Sequence, residues 1–117
     1  MPKRFSIKRV YETPSKEDGY RILIDRLWPR GLTKEKAQVD LWLKDISPSA
    51  ALRKWFNHEP EKWTEFRKLY KAEIGKNKNA TQILKVELKK HQKVTLVYGA
   101  KDEEHNDAVV LLEVFGD

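Results

Sequence analysis

Two kinds of apolar pattern alternate along the chain. YRILID (Tyr20 to Asp25) and KVTLVYG (Lys93 to Gly99) are short apolar runs between polar segments, the mark of strands covered on both faces. RFSIKRVY (Arg4 to Tyr11) half-alternates and is rich in β-branched and aromatic residues, which predicts a first strand. In VDLWLKDI, Val39, Leu41 and Leu43 alternate with Asp40, Trp42 and Lys44, a strand period in a run short enough to be helical instead. Between these runs the period lengthens. Leu52, Trp55 and Phe56, then Trp63, Phe66, Tyr70 and Ile74, then Leu84 and Leu88, recur at helical spacing. DAVVLLEVF is apolar nearly all round and predicts a buried last helix.

Polar punctuation sets the expected boundaries. Thr33 suits the N-cap of a short helix over TKEKAQ, and Ser47 followed by Pro48 that of the next one. Gly75 is placed to end the helix that carries Trp63, and Asn79 with Gln82 has capping-box spacing for its successor. Strands mixed with helices, and a closing strand–loop–helix unit, predict a single α/β domain over residues 1–117. It should hold a mainly parallel sheet of about four strands with helices on both faces.

Composition narrows the context. A chain of 117 residues can remove roughly two-thirds of its unfolded surface and needs no staples. It has no cysteine, so disulfides, thiolate metal sites and cysteine nucleophiles are excluded, in line with a reducing cytoplasm. MPKRFSIKRVYE holds no apolar run of signal-peptide length and no later segment approaches a membrane span. The expectation is a soluble cytoplasmic protein without a membrane partner. A net charge of +6, from 24 Lys and Arg against 18 Asp and Glu, favours anionic partners. The lysines are dispersed among acidic neighbours, which is the usual pattern of a solvated surface.

Candidate chemistry collects after the two apolar strands. YRILID runs straight into RLWPRG, and VTLVYG into AKDEEHN. In open α/β sheets ligands collect beyond the carboxyl ends of strands. If these two strands are parallel neighbours, one crevice gathers Asp25, Arg26 and Arg30 with Lys101, Asp102, His105 and Asn106. Asp25 and His105 are the acid–base candidates, against structural roles as acceptor of a loop amide and as an ordinary loop histidine. Arg26 and Arg30 offer planar forks for phosphate or carboxylate, against internal pairing or stacking on Trp28. Lys101, Asp102 and Asn106 complete the ligand-binding set, Asn106 being also a good N-cap. Trp28 reads first as a core plug.

Several chemistries are missing. No Gly-x-Gly-x-x-Gly, no phosphate-loop Gly-Lys-Ser/Thr and no Gly-x-Ser-x-Gly occurs. Asp102 and His105 lack further ligands at metal-binding spacing, so neither metal nor cofactor is expected. The leading expectation is a small anionic ligand, with or without catalysis. The alternatives are a nucleic-acid-binding module using the lysine-rich helices and Trp42, Trp55 or Trp63, and a non-catalytic protein-interaction domain.

Three stretches carry a resemblance: LIDRLWPRG, SPSAALRKWFNH and DEEHNDAVVL. Together they resemble the YeaO-like family of uncharacterised bacterial and archaeal proteins (domain of unknown function 488), over most of the chain. The resemblance implies a compact α/β domain and carries no established activity. Longer relatives in the wider family have a Cys-His-Arg run where this chain has His105-Asn106-Asp107, so any thiol chemistry of theirs is ruled out here.

Overall fold

A computed structural model describes residues 4–116. Four strands, β1 (Phe5–Arg9), β2 (Tyr20–Leu23), β3 (Leu41–Trp42) and β4 (Val94–Tyr98), form one sheet of order β1-β4-β2-β3. Every pairing is parallel. Among the described residues there are five α-helices, α1 (Lys34–Ala37), α2 (Ala50–Phe56), α3 (Trp63–Lys76), α4 (Lys78–Lys90) and α5 (Asp107–Phe115), and three short 3-10 turns. This is the α/β architecture expected, with a wholly parallel sheet.

The two faces are unequally covered. On one, Ile22, Val94 and Leu96 meet Leu52 and Phe56 of α2, Phe66, Tyr70 and Ile74 of α3, Leu84 of α4 and Val110 and Leu111 of α5. Among the described residues, the other face has α1 and loops over it, where Val10, Leu23, Ala37 and Val97 pack with Trp28, Leu32 and Val39. β4 lies between β1 and β2, and all five of its residues are buried. That placement is why VTLVY is apolar without interruption.

The thin face holds an ionic cluster. Asp18 is 7% exposed and Arg21 3%. Asp18 Oδ2 accepts from Arg21 Nη1 at 2.6 Å, and Lys8 Nζ donates to the same carboxylate at 3.1 Å. Arg21 also donates to the carbonyls of Ala37 and Gln38, which fastens the end of α1 to the sheet. Burial works against the Asp18 charge. The Ser15 amide, Lys8 and Arg21 outweigh it, and the carboxyl sits below its ordinary range.

Three helix boundaries differ from expectation. The N-cap of α2 is Ser49, whose side chain accepts from the Leu52 amide, whereas the Ser47 hydroxyl donates to the Lys44 carbonyl in the preceding turn. Helix α3 passes through Gly75, and Asn77 both closes it and caps α4 in place of Asn79. Asn77 prevails because its side chain makes two contacts, accepting from the Ala80 amide and donating to the Asp45 carbonyl. Thr33 and Asn106 cap α1 and α5 as expected.

Asp18→Ala should cost about 3–5 kcal/mol in urea unfolding, because it leaves Arg21 buried without its counter-charge. Asp18→Asn should cost less, since it keeps an acceptor for Arg21.

Candidate functional site

Parallel pairing of β2 with β4, in the register Leu23↔Val97, brings the two polar loops to the same end of the sheet. The contact is direct: the Gly99 amide donates to Asp25 Oδ2 at 2.8 Å. Around this bond lies an open cleft of about 660 Å³. Asp25, Arg26, Leu27, Trp28 and Pro29 form one wall, Gly99, Ala100, His105, Asn106 and Asp107 the opposite one, and Arg53, Lys54, Phe56 and His58 contribute from α2 and the turn after it.

The loop after β2 is pinned at several points. Besides the Asp25–Gly99 bond, the Asp25 carbonyl accepts from Trp42 Nε1 at 2.7 Å and the Arg30 carbonyl from the Tyr11 hydroxyl at 2.9 Å. Trp28 Nε1 donates to the Leu32 carbonyl at 2.7 Å, and its ring packs on the thin-face core. The Leu32 amide closes a turn onto the Pro29 carbonyl. Within that turn Gly31 has φ of 84°, a value that favours glycine. The arginines take no part in this anchoring: Arg26 and Arg30 are exposed, and neither guanidinium has a hydrogen bond or ion pair among the described residues. Arg26 lines the cleft, whereas Arg30 lies outside its lining.

The loop after β4 is self-contained. Asp102 Oδ1 accepts from the amides of Glu104 and His105, and Oδ2 lies 2.9 Å from His105 Nδ1. The His105 contact, first among these bonds, lowers the Asp102 carboxyl below its ordinary value. His105 lines the cleft and meets the Trp63 ring edge-on at 5.2 Å. Asn106 is buried, its side chain accepting from the Val109 amide and donating to the Asp102 carbonyl. Lys101 is exposed and lies outside the lining. So Asp25, Arg26, His105 and Asn106 share one cleft, while Asp102 holds His105 from behind.

Three further charged residues enter the site that sequence reasoning did not select: Lys54, Asp107 and Arg53. Asp107, the first residue of α5, and Arg53, on α2, both line the cleft. Burial, then the like charge of Asp25, pushes the Asp107 carboxyl up to about 7, against the opposing pull of Arg53 and its own amide. Asp25 is raised too, by burial, with the Gly99 amide and Arg53 acting against it. Asp107 was hidden because an acid in the first turn of a helix is ordinarily a partner of the helix dipole. Arg53 falls at helical spacing in LRKWFNH and looks like any surface arginine. One signal was legible only in part. Asn57 and His58 both take left-handed φ, 46° and 55°, a strained arrangement for consecutive non-glycine residues, and both line the cleft. Among the described residues no group of three or more His, Asp or Glu is placed to hold a metal ion, and no helix is long and apolar enough to cross a membrane.

Residues 4–117 match a family model described as the inactive DUF488-N3 subclade. The uncharacterised protein YeaO of Escherichia coli is 43% identical over 106 residues, covering 91% of each chain. The uncharacterised proteins Mb3100c of Mycobacterium bovis and Rv3073c of Mycobacterium tuberculosis are each 35% identical over 111 residues, covering 95% of this chain and 92% of theirs. No solved structure matches.

A pH dependence follows from Asp107. Its carboxyl is raised in the folded state, so the folded protein binds more protons than the unfolded chain between about pH 4 and 7. Its contribution to stability is therefore lost as pH rises through that window, a loss of roughly 4 kcal/mol at most. Thermal melts should show Asp107→Asn more stable than the parent at pH 8, with the difference shrinking towards pH 5. An equal difference at both pH values would refute the assignment.

Proposed function

The chain belongs to the YeaO-like DUF488 family, in the subclade described as inactive, and from that premise we propose that its cleft binds a small phosphate- or carboxylate-bearing ligand without converting it. The observation that carries this reading is the cleft itself, where a rigidly anchored loop presents an unpaired guanidinium. Arg26 gains nothing structural from its position among the described residues, yet the backbone on either side of it is fixed by the bonds of Asp25 and Trp28. The anchored backbone fixes where the Arg26 side chain leaves the loop, and its guanidinium offers an anion a two-point fork. Arg53 and Lys54 add positive charge from α2, and the nine-residue α5 directs its N-terminal end into the same space. Phe56, Phe66 and Tyr98 supply an apolar wall, the usual setting for a few placed polar groups.

Binding rather than turnover fits the subclade's description and the state of the acid–base candidates. One oxygen of Asp25 is taken by the Gly99 amide, and Nδ1 of His105 by Asp102. The nucleic-acid alternative draws less support. Trp42 and Trp55 are partly exposed, but Lys44 lies 5.1 Å from the Trp42 ring centre and Lys62 5.2 Å from that of Trp55.

A thermal-shift and calorimetric screen over phosphorylated and carboxylated metabolites should yield a ligand whose affinity falls about tenfold or more in Arg26→Ala, with the melting temperature of the free protein unchanged. Arg30→Ala, outside the lining, should bind within about twofold of the parent. Equal affinity in Arg26→Ala would remove the central residue of the proposal.

A further inference from the structure

The cleft's charges are of both signs, and their arrangement says more about the ligand than its anionic end alone. On the reading that Arg26 holds an anion, we propose that the ligand is a small zwitterion, with a carboxylate or phosphate on Arg26 and a protonated amine on the carboxylates of Asp25 and Asp107.

Three observations support the amine. First, Asp25 and Asp107 reach the same cleft from different elements, the β2 loop and the start of α5, and the like charge of Asp25 weighs on Asp107. Neither forms an ion pair among the described residues. Arg53 is near enough to act on both, but its Nε donates to the Pro48 carbonyl. Second, Asp25 keeps only one described partner, the Gly99 amide, on Oδ2, and no side chain donates to Asp107 among the described residues. Carboxylates withdrawn from water gain most from a donor that also carries a full positive charge. A hydroxyl would satisfy their lone pairs and leave the repulsion in place. Third, a metal ion would need further protein ligands, and no third His, Asp or Glu is placed to supply one among the described residues. An organic ammonium needs no fixed coordination number.

The acidic pair and Arg26 line the same cleft, and its size suits a single small molecule. The apolar wall of Phe56, Phe66 and Tyr98 leaves room for a hydrophobic substituent. Binding an ammonium beside Asp107 should expel its proton, because the new positive charge favours the carboxylate. The other charged groups acting on Asp107 are Asp25 and Arg53, and Tyr70 on α3, itself raised well above its ordinary value by burial and by nearby acids, stays neutral.

The test uses isothermal titration of the full chain at pH 7 with matched probes. Phenylalanine, leucine and phosphoethanolamine are the zwitterions, and N-acetylphenylalanine, phenethylamine and glycerol 3-phosphate each lack one charge. At least one zwitterion should bind tenfold or more tighter than its single-charge counterparts. Repeating that titration in two buffers of different ionisation enthalpy should show net release of protons on binding. Asp107→Asn should abolish the preference over the N-acetyl or hydroxyl analogue and the proton release, while anion binding through Arg26 survives. Asp25→Asn, which keeps an acceptor for Gly99, provides a second variant should the first fail to fold. If N-acetylphenylalanine or glycerol 3-phosphate binds as tightly as the zwitterions, with dependence on Arg26, the anion site stands and the zwitterion is refuted. If no probe binds at millimolar concentration, the zwitterion proposal fails, and the anion site is then judged by the wider metabolite screen.

Discussion

The parallel pairing of β2 with β4 is the constraint on which the rest of this protein depends. The two strands lie more than seventy residues apart in sequence, yet their register of Tyr20↔Val94 through Leu23↔Val97 brings their carboxyl ends level. The ladder is extended by the Ile24 amide donating to the Val97 carbonyl, and then by the Asp25 side chain accepting from the Gly99 amide. At that point backbone pairing gives way to a side chain, and the sheet opens into the cleft. A parallel pair cannot be closed by a tight turn. The intervening chain therefore builds β3 and the helical layer, and that layer supplies Arg53, Phe56 and Phe66 to the site.

The same arrangement explains the unequal faces. The long excursion from β3 to β4 places α2, α3 and α4 on one side of the sheet, where α5 joins them, and among the described residues α1 is left for the other. A parallel sheet has to be covered on both faces. The thin face is completed by Trp28, Leu32 and Val39 and by the buried cluster of Lys8, Asp18 and Arg21. Arg21 ties α1 to the sheet through the Ala37 and Gln38 carbonyls. Such a cluster is a weak source of net stability, but it tolerates few alternative packings because each group left alone would be a buried charge. Trp28 connects this face to the cleft: its ring packs on the thin side, while its neighbours Arg26 and Leu27 are exposed.

The sequence made most of the fold legible because the strands and helices differ in apolar period. VTLVY and the run Ile22, Leu23, Ile24 read as strands buried on both faces, and the stripe of Phe66, Tyr70 and Ile74 as the inner side of a helix. Boundaries were less legible where two capping residues competed nearby, as with Ser47 against Ser49 and Asn79 against Asn77. Those choices depend on a second partner across the fold, such as Glu73 for Ser49 or the Asp45 carbonyl for Asn77. Of the site, the two loops were legible as densely polar segments following buried strands. Asp107 and Arg53 were not, since their residue types and positions are ordinary for a helix start and a helix flank.

By itself the sequence determined most of the element types, a mainly parallel α/β class and the two loops in which chemistry would collect, because these follow from local periodicity, from strands mixed with helices and from polar residues abutting apolar runs. Only the tertiary structure decided which charges meet. It paired Asp102 with His105, gave Asp25 the Gly99 amide, left Arg26 without a partner among the described residues, and set Asp107 against Asp25. The physical reason is that ionisation and pairing depend on separation and burial, which only the folded chain fixes. Residues far apart in sequence acquire a shared electrostatic character when one strand register brings them into the same cleft.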